Sequence, residues 1–166
     1  MGFLTAIFLA LMLNLGSVPP YIELKGKDGS LVNGKPFSTK MIKGKVYLVF
    51  YVDPDVRDLN NHFIQKLKKQ NFDKEKFGSI VIINMKATWL PGFILNKLLK
   101  EKQKEFPDTV YVKDKNKIFV KEWRLKDDDY NVLLFDKSGK LIFYKSGKLS
   151  NKDIQTVINL IKQNIE

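Results

Sequence analysis

The sequence contains no cysteine in 166 residues. Thiol–disulfide exchange, thiolate attack and thiol-based peroxide reduction are therefore excluded, because each needs a sulfur nucleophile. No disulfide can brace the fold, so stability rests on the core and its hydrogen bonds. Histidine is nearly absent: His62 is the single one. A general base needs a positioned partner, and Asp58 at i−4 is the only local candidate. No Ser-His-Asp order, GxSxG, P-loop or metal-ligand His/Cys spacing is present. Arginine is equally scarce, with Arg57 and Arg124 alone, so the net charge of +11 is almost entirely lysine. Such an excess attracts polyanions, whether nucleic acid, anionic lipid or acidic glycans. The planar guanidinium fork used to read phosphate and guanine is missing, however. The lysines are also dispersed, with no block longer than Lys66-Leu67-Lys68-Lys69. Lysine-mediated polyanion binding thus rests on charge alone, and a solvated lysine-rich surface is the plainer reading.

Charge is also missing from the first seventeen residues, where Phe3 to Leu15 is almost wholly apolar and is followed by Gly16, Ser17 and Val18-Pro19-Pro20. The run is shorter than the ~20 residues a membrane-spanning helix needs, but it suits the apolar region of a secretion signal. Residues 1–17 are read as a signal peptide and 18–166 as one domain. The expected location is exported, and periplasmic in a Gram-negative source. The alternative is a membrane tether through an uncleaved N-terminal segment. A hydrophobic content of 44% and a charged content of 28% are globular values for the remainder.

That domain is organised around Lys45 to Asp58, KVYLVFYVDPDVRD. Val46 to Val52 has neither charge nor glycine, the pattern of a strand buried on both faces. Asp53 and Pro54 end it, and Asp55 or Asp58 is placed to cap a following helix. A helix is expected from Asp58 to Asn71 with Leu59, Phe63, Ile64 and Leu67 inward. Ser79 to Met85 reads as a second buried strand. Pro91 opens a second helix whose inner face is assigned to Phe93 or Ile94, Leu98 and Phe106. Tyr21 to Leu24 and Thr109 to Val112 are short strands, Lys25 to Lys35 is a set of turns, and Ile118 to Leu125 holds about one helical turn. Val132 to Phe135 and Leu141 to Tyr144 flank Asp136-Lys137-Ser138-Gly139, which predicts an antiparallel hairpin. Ser150 and Asp153 form a near capping box before Ile154, Val157, Ile158, Ile161 and Ile165. The order implies an α/β domain with a mixed sheet and helices on both faces.

This order resembles the thioredoxin-like fold in its peroxiredoxin and TlpA-like elaboration, through Val18-Pro19-Pro20, Gly44-Lys45 before the central strand, and the Leu133 to Tyr144 hairpin. More narrowly the chain resembles the YtfJ family of exported proteins. Lys43-Gly44-Lys45-Val46, Ile82-Ile83-Asn84, the Trp123 segment, Leu134 to Gly139 and Lys148-Leu149-Ser150 carry that likeness. The resemblance places the redox CxxC of thioredoxins at Asp53, Pro54, Asp55 and Val56, and their cis-proline near Tyr130. Neither cysteine nor proline stands where redox chemistry would need it, which implies a non-redox module. It also brings Asp53, Asp55 and Asp58 close to Asp127, Asp128 and Asp129.

Two uses of that edge follow. The first is recognition of a partner protein or small ligand by Asp53, Pro54, Asp55, Trp89 and Tyr130, with Trp89 at a strand-to-helix corner lining a groove. The second is a metal-assisted enzyme holding Ca²⁺ or Mg²⁺ on Asp53, Asp55, Asp128 and Asp129, since clustered carboxylates repel unless a cation offsets them. Lys126 and Arg57 offer the same relief without a metal, and solvated loops with a helix-capping Asp58 are the plain structural reading.

Overall fold

A computed structural model describes residues 13–166. The expected signal segment therefore lies largely outside the described residues. Its last part is tied to the domain: Leu13 packs against the core, the Gly16 N–H donates to the Leu141 carbonyl at 2.7 Å, and the Leu141 N–H donates to Ser17 at 2.9 Å.

Six strands form one mixed sheet in the order β2-β6-β5-β4-β7-β8. They are β2 (Gly29–Leu31), β4 (Val46–Val52), β5 (Phe77–Asn84), β6 (Thr109–Asp114), β7 (Tyr130–Phe135) and β8 (Leu141–Ser146). β4, β5 and β6 run parallel, while β2, β7 and β8 are antiparallel to their neighbours. A separate ribbon pairs β1 (Glu23–Leu24) with β3 (Phe37–Ser38). The uncharged run from Val46 is the central strand because both of its sides are covered. Val46, Leu48, Phe50 and Val52 pack with Phe63 of α1 (Asn61–Lys68), Leu99 of α2 (Gly92–Glu105) and Ile154, Val157, Ile158 and Ile161 of α4 (Asn151–Ile165). Val49 and Tyr51 point the other way, against Phe119 and Trp123 of α3 (Ile118–Trp123) and Leu24 and Phe37 of the ribbon. Each such burial contributes ~1.5–3 kcal/mol, so β4 anchors both layers at once.

The α4 start follows the sequence closely: the Ser150 hydroxyl accepts from the Asp153 N–H while Asp153 accepts from the Ser150 N–H, a reciprocal capping box. Three expectations are corrected. The first helix is shorter than Asp58 to Asn71, and neither Asp55 nor Asp58 caps it; the Asp58 carboxylate accepts from the Asn61 side-chain amide, at 3.2 Å. In α2 the inward positions are Leu95 and Leu99, one turn apart, whereas Phe93 and Leu98 are exposed. The helix carries apolar residues on more than one side, and the sheet selects the i, i+4 pair. Within the expected turns, Gly29 to Leu31 is an edge strand on β6. Gly29 sits at φ +146°, and a Cβ there would come within 1.9 Å of the Lys113 carbonyl oxygen, so only glycine admits the pairing.

Candidate functional site

The β4–β7 ladder continues one step past Val52 and Tyr130, where the Asp53 N–H donates to the Asp129 carbonyl at 3.0 Å. That bond sets the loop after β4 beside the loop before β7, so Asp53 and Asp55 do stand near Asp127 to Asp129. Asp53 is buried, 5% exposed, and its Oδ1 accepts from the Asp55 N–H at 2.8 Å, capping the 3₁₀ turn Pro54–Val56. Burial raises its carboxyl above the ordinary range against the lowering effect of that bond, and Asp55, Asp128 and Asp127 add to the rise.

The other carboxylates are offset from within. Lys117 Nζ donates to Asp127 Oδ2 at 2.7 Å and lies 3.9 Å from Asp128, and Lys126 lies 3.2 Å from Asp129. The Asp127 bond raises Lys117 against the cost of its burial. Burial alone would raise Asp127 too, but hydrogen bonds from Lys117, the Asp128 N–H and Asn84 outweigh it and hold the carboxyl low. Of the two cations expected to offset this edge, Lys126 pairs with Asp129, and Arg57, which donates to the Pro54 carbonyl at 3.0 Å, lies 4.0 Å from Asp58 at the limit of an exposed ion pair. Among the described residues, no group of three or more His, Cys, Asp or Glu side chains is arranged to hold a metal ion.

The five residues expected to form a recognition surface separate by exposure. Asp53, Pro54 and Tyr130 are buried, with Tyr130 edge-on to Phe50 at 5.8 Å, and they build the edge from below. Burial also raises the Tyr130 hydroxyl, which stays protonated. Asp55 is exposed, and Trp89 is 83% exposed. The two are coupled: Thr88 Oγ1 donates to Asp55 Oδ1 at 2.7 Å, and the Leu90 N–H donates to Thr88 Oγ1 at 3.2 Å, which fixes the turn that carries Trp89. Trp89 thus stands outside the core, while Trp123 is the buried indole, donating to the Pro20 carbonyl at 2.8 Å. Phe93, 75% exposed at the start of α2, adds a second aromatic ring that periodicity had assigned to the core.

Several residues at this end carry roles with no sequence signal. Asp114 is fully buried and accepts from Tyr51 Oη at 3.1 Å, from the Ile118 and Phe119 N–H groups at 3.0 Å and from the Asn116 N–H at 3.2 Å, capping α3. Buried Asn131 bridges Lys126 to Tyr51 through its side-chain amide and carbonyl. His62 donates from Nε2 to the Leu149 carbonyl at 2.8 Å, and Asn60 bonds Gly147 and Leu149, so this pair holds the approach to α4. Lys117, in a left-handed conformation at φ 54°, was visible only as one lysine among many.

A family model described as a bacterial protein of unknown function, YtfJ_HI0045, matches residues 17–164. The chain belongs to that family. An uncharacterised protein of Haemophilus influenzae is 31% identical over 143 residues, covering 84% of this chain and 76% of its own length. The uncharacterised protein YtfJ of Escherichia coli is 21% identical over 133 residues, covering 78% and 72%. Among solved structures, a putative disulfide isomerase from Bacteroides thetaiotaomicron superposes with a TM-score of 0.64 at 16% identity, covering 92% and 91% of the two chains. A putative thiol:disulfide interchange protein DsbE from Chlorobium tepidum gives 0.63 at 14% identity, covering 93% and 99%. At these identities the likeness shows the fold alone. The family member described here therefore has a thioredoxin-like fold without a cysteine. Among its described residues, no helix is long and apolar enough to cross a membrane.

Proposed function

We propose that this chain is an exported, non-redox accessory protein that recognises a partner protein at the edge where thiol oxidoreductases of the same fold carry their redox loop. The observation that carries this reading is the pair of exposed aromatic rings, Trp89 and Phe93, flanking the Pro91-Gly92 start of α2 and tied to the acidic loop through Thr88 and Asp55. Large exposed aromatics are costly to leave in water, and tryptophan in particular dominates protein interfaces. The buried group Asp53, Pro54 and Tyr130 supplies a rigid base, and Asp55 supplies a charge beside the rings that selects a partner offering a cation or N–H donors at that point.

The test is photo-crosslinking in living cells with a benzophenone amino acid at Phe93, compared with the same group at Gln155 on the exposed side of α4. A discrete protein adduct at position 93 that is absent at 155 and lost in the Trp89→Ala background is the expected result. Equal labelling at both positions, or none at 93, overturns the assignment.

A further inference from the structure

On the helix side of the sheet, away from the acidic loops, a cavity of about 280 Å³ opens between α1, the β5 strand and the end of α2. Its walls are aromatic: Phe50, Phe72, Phe77, Phe106 and Tyr111 all line it. It is a half-open depression at the surface rather than a void sealed within the core. An apolar cavity of ~150 Å³ holds one benzene, so the space suits a ring with a short side chain, on the order of ten to twelve non-hydrogen atoms.

Two polar groups at different depths define what else the occupant must carry. Tyr111 is 8% exposed and lines the cavity, and its hydroxyl, which makes no hydrogen bond among the described residues, is open to solvent. Burial, with a smaller effect from Glu105, pushes it up to about 12, so it is a donor at neutral pH. The other hydroxyls of the lining, Ser79 and Thr109, are bonded to each other at 2.9 Å. At the exposed rim Lys68 lies 4.7 Å from the centroid of the Phe106 ring, and no carboxylate pairs with it among the described residues. Lys102, over the same ring, is engaged by Glu105 at 2.8 Å. The inner group thus offers a donor and the outer one a cation.

We propose that this cavity binds a hydroxyaromatic carboxylate, with its ring among the phenylalanines, its ring oxygen accepting from Tyr111 and its carboxylate at Lys68. The aromatic walls favour edge and offset ring contacts over a flexible alkyl chain. The volume admits one ring with a short side chain. The site is independent of the recognition edge, and either can fail without the other.

The test is calorimetric titration of the full chain, followed by backbone amide shifts, with para-hydroxyphenylpropionate and two analogues. Phenylpropionate lacks the ring oxygen, and para-hydroxyphenylpropanol lacks the charge. The complete probe should bind about fivefold more tightly than phenylpropionate, the value of one net hydrogen bond, and Tyr111→Phe should abolish that difference. It should bind about threefold more tightly than the alcohol, and Lys68→Gln should abolish that difference. Neither variant removes core volume, and thermal unfolding of each checks the fold. Amide shifts should centre on Leu67, Ser79, Val81 and Thr109. No binding at millimolar probe, equal affinity for all three molecules, or shifts confined to Trp89 and Phe93 would each reject the site.

Discussion

Asp53 and Asp114 are both buried aspartates at the same end of the sheet, one directly after β4 and the other closing β6, but they are solvated by the protein to very different degrees. Asp114 accepts four hydrogen bonds over its two oxygens, whereas Asp53 accepts one, and its charged neighbours include three further aspartates. Burial by itself therefore does not separate a carboxylate solvated by the protein from one that still relies on water for its second oxygen. The number of protein donors aimed at it does, because each such bond lost from a dry site costs about 1–3 kcal/mol, whereas an oxygen open to water loses far less. Asp114 fastens α3 and Tyr51 to the sheet; Asp53 is held in place by the backbone bond to Asp129 and keeps spare acceptor capacity.

Removing the richer of the two should have the largest effect. Asp114→Ala orphans three backbone N–H groups and the Tyr51 hydroxyl, and denaturant unfolding should show a loss of about 3 kcal/mol or more. A loss under ~1 kcal/mol would break the comparison at its strong end. Asp153 offers an intermediate case, since the Lys145 bond and then the Ser150 N–H pull its carboxyl down to about 2. A group lowered on folding stabilises above its unfolded value near 3.8 and loses that contribution as pH falls toward about 2. Asp153→Asn should accordingly cost about 1 kcal/mol at neutral pH, shrinking as pH falls through about 2 and vanishing only below it, read from thermal midpoints across the series.

Asp53→Asn should act in the opposite direction. Its folded carboxyl is raised, so the native state binds more protons than the unfolded chain, and the aspartate lowers stability as pH climbs through and above the ordinary carboxyl range. Asparagine keeps an oxygen for the Asp55 N–H and removes the charge, giving a gain on the order of 0.5 kcal/mol at neutral pH that vanishes near pH 3. A loss at neutral pH would show that the charge has a partner. Trp89→Ala should be smallest for stability, within ~0.5 kcal/mol, but should remove most of the iodide-quenchable tryptophan fluorescence, leaving the protected emission of Trp123.

The sequence made legible those features whose cause is local. β4 and β5 read as uncharged runs, the hairpin as a turn between apolar segments, and α4 as a cap followed by five periodic residues. What escaped depends on partners distant in the chain. β2 is a strand only because Lys113 and its neighbours lie alongside it, and the inward side of α2 is chosen by the sheet among several apolar candidates. At the candidate site the proximity of the two acidic loops was readable through the family likeness. Exposure was not: Tyr130 and Trp89 look equally able to meet a ligand in sequence, yet one lies under the edge and the other stands out from it. Asp114 and Lys117 carry ordinary labels in an ordinary context, and only three-dimensional donor geometry gives them roles.

The strap formed by residues 14–17 has a consequence in time as well as in space. Its backbone bonds to Leu141 join nearly opposite ends of the chain, a contact whose loop-closure cost is met only once the intervening sheet has assembled. During synthesis the strap emerges long before its dock. Ordering of Gly16 and Ser17 is thus a late event on the folding pathway, and protection of their amide protons in a pulse-labelling experiment should lag behind that of β4 and β5.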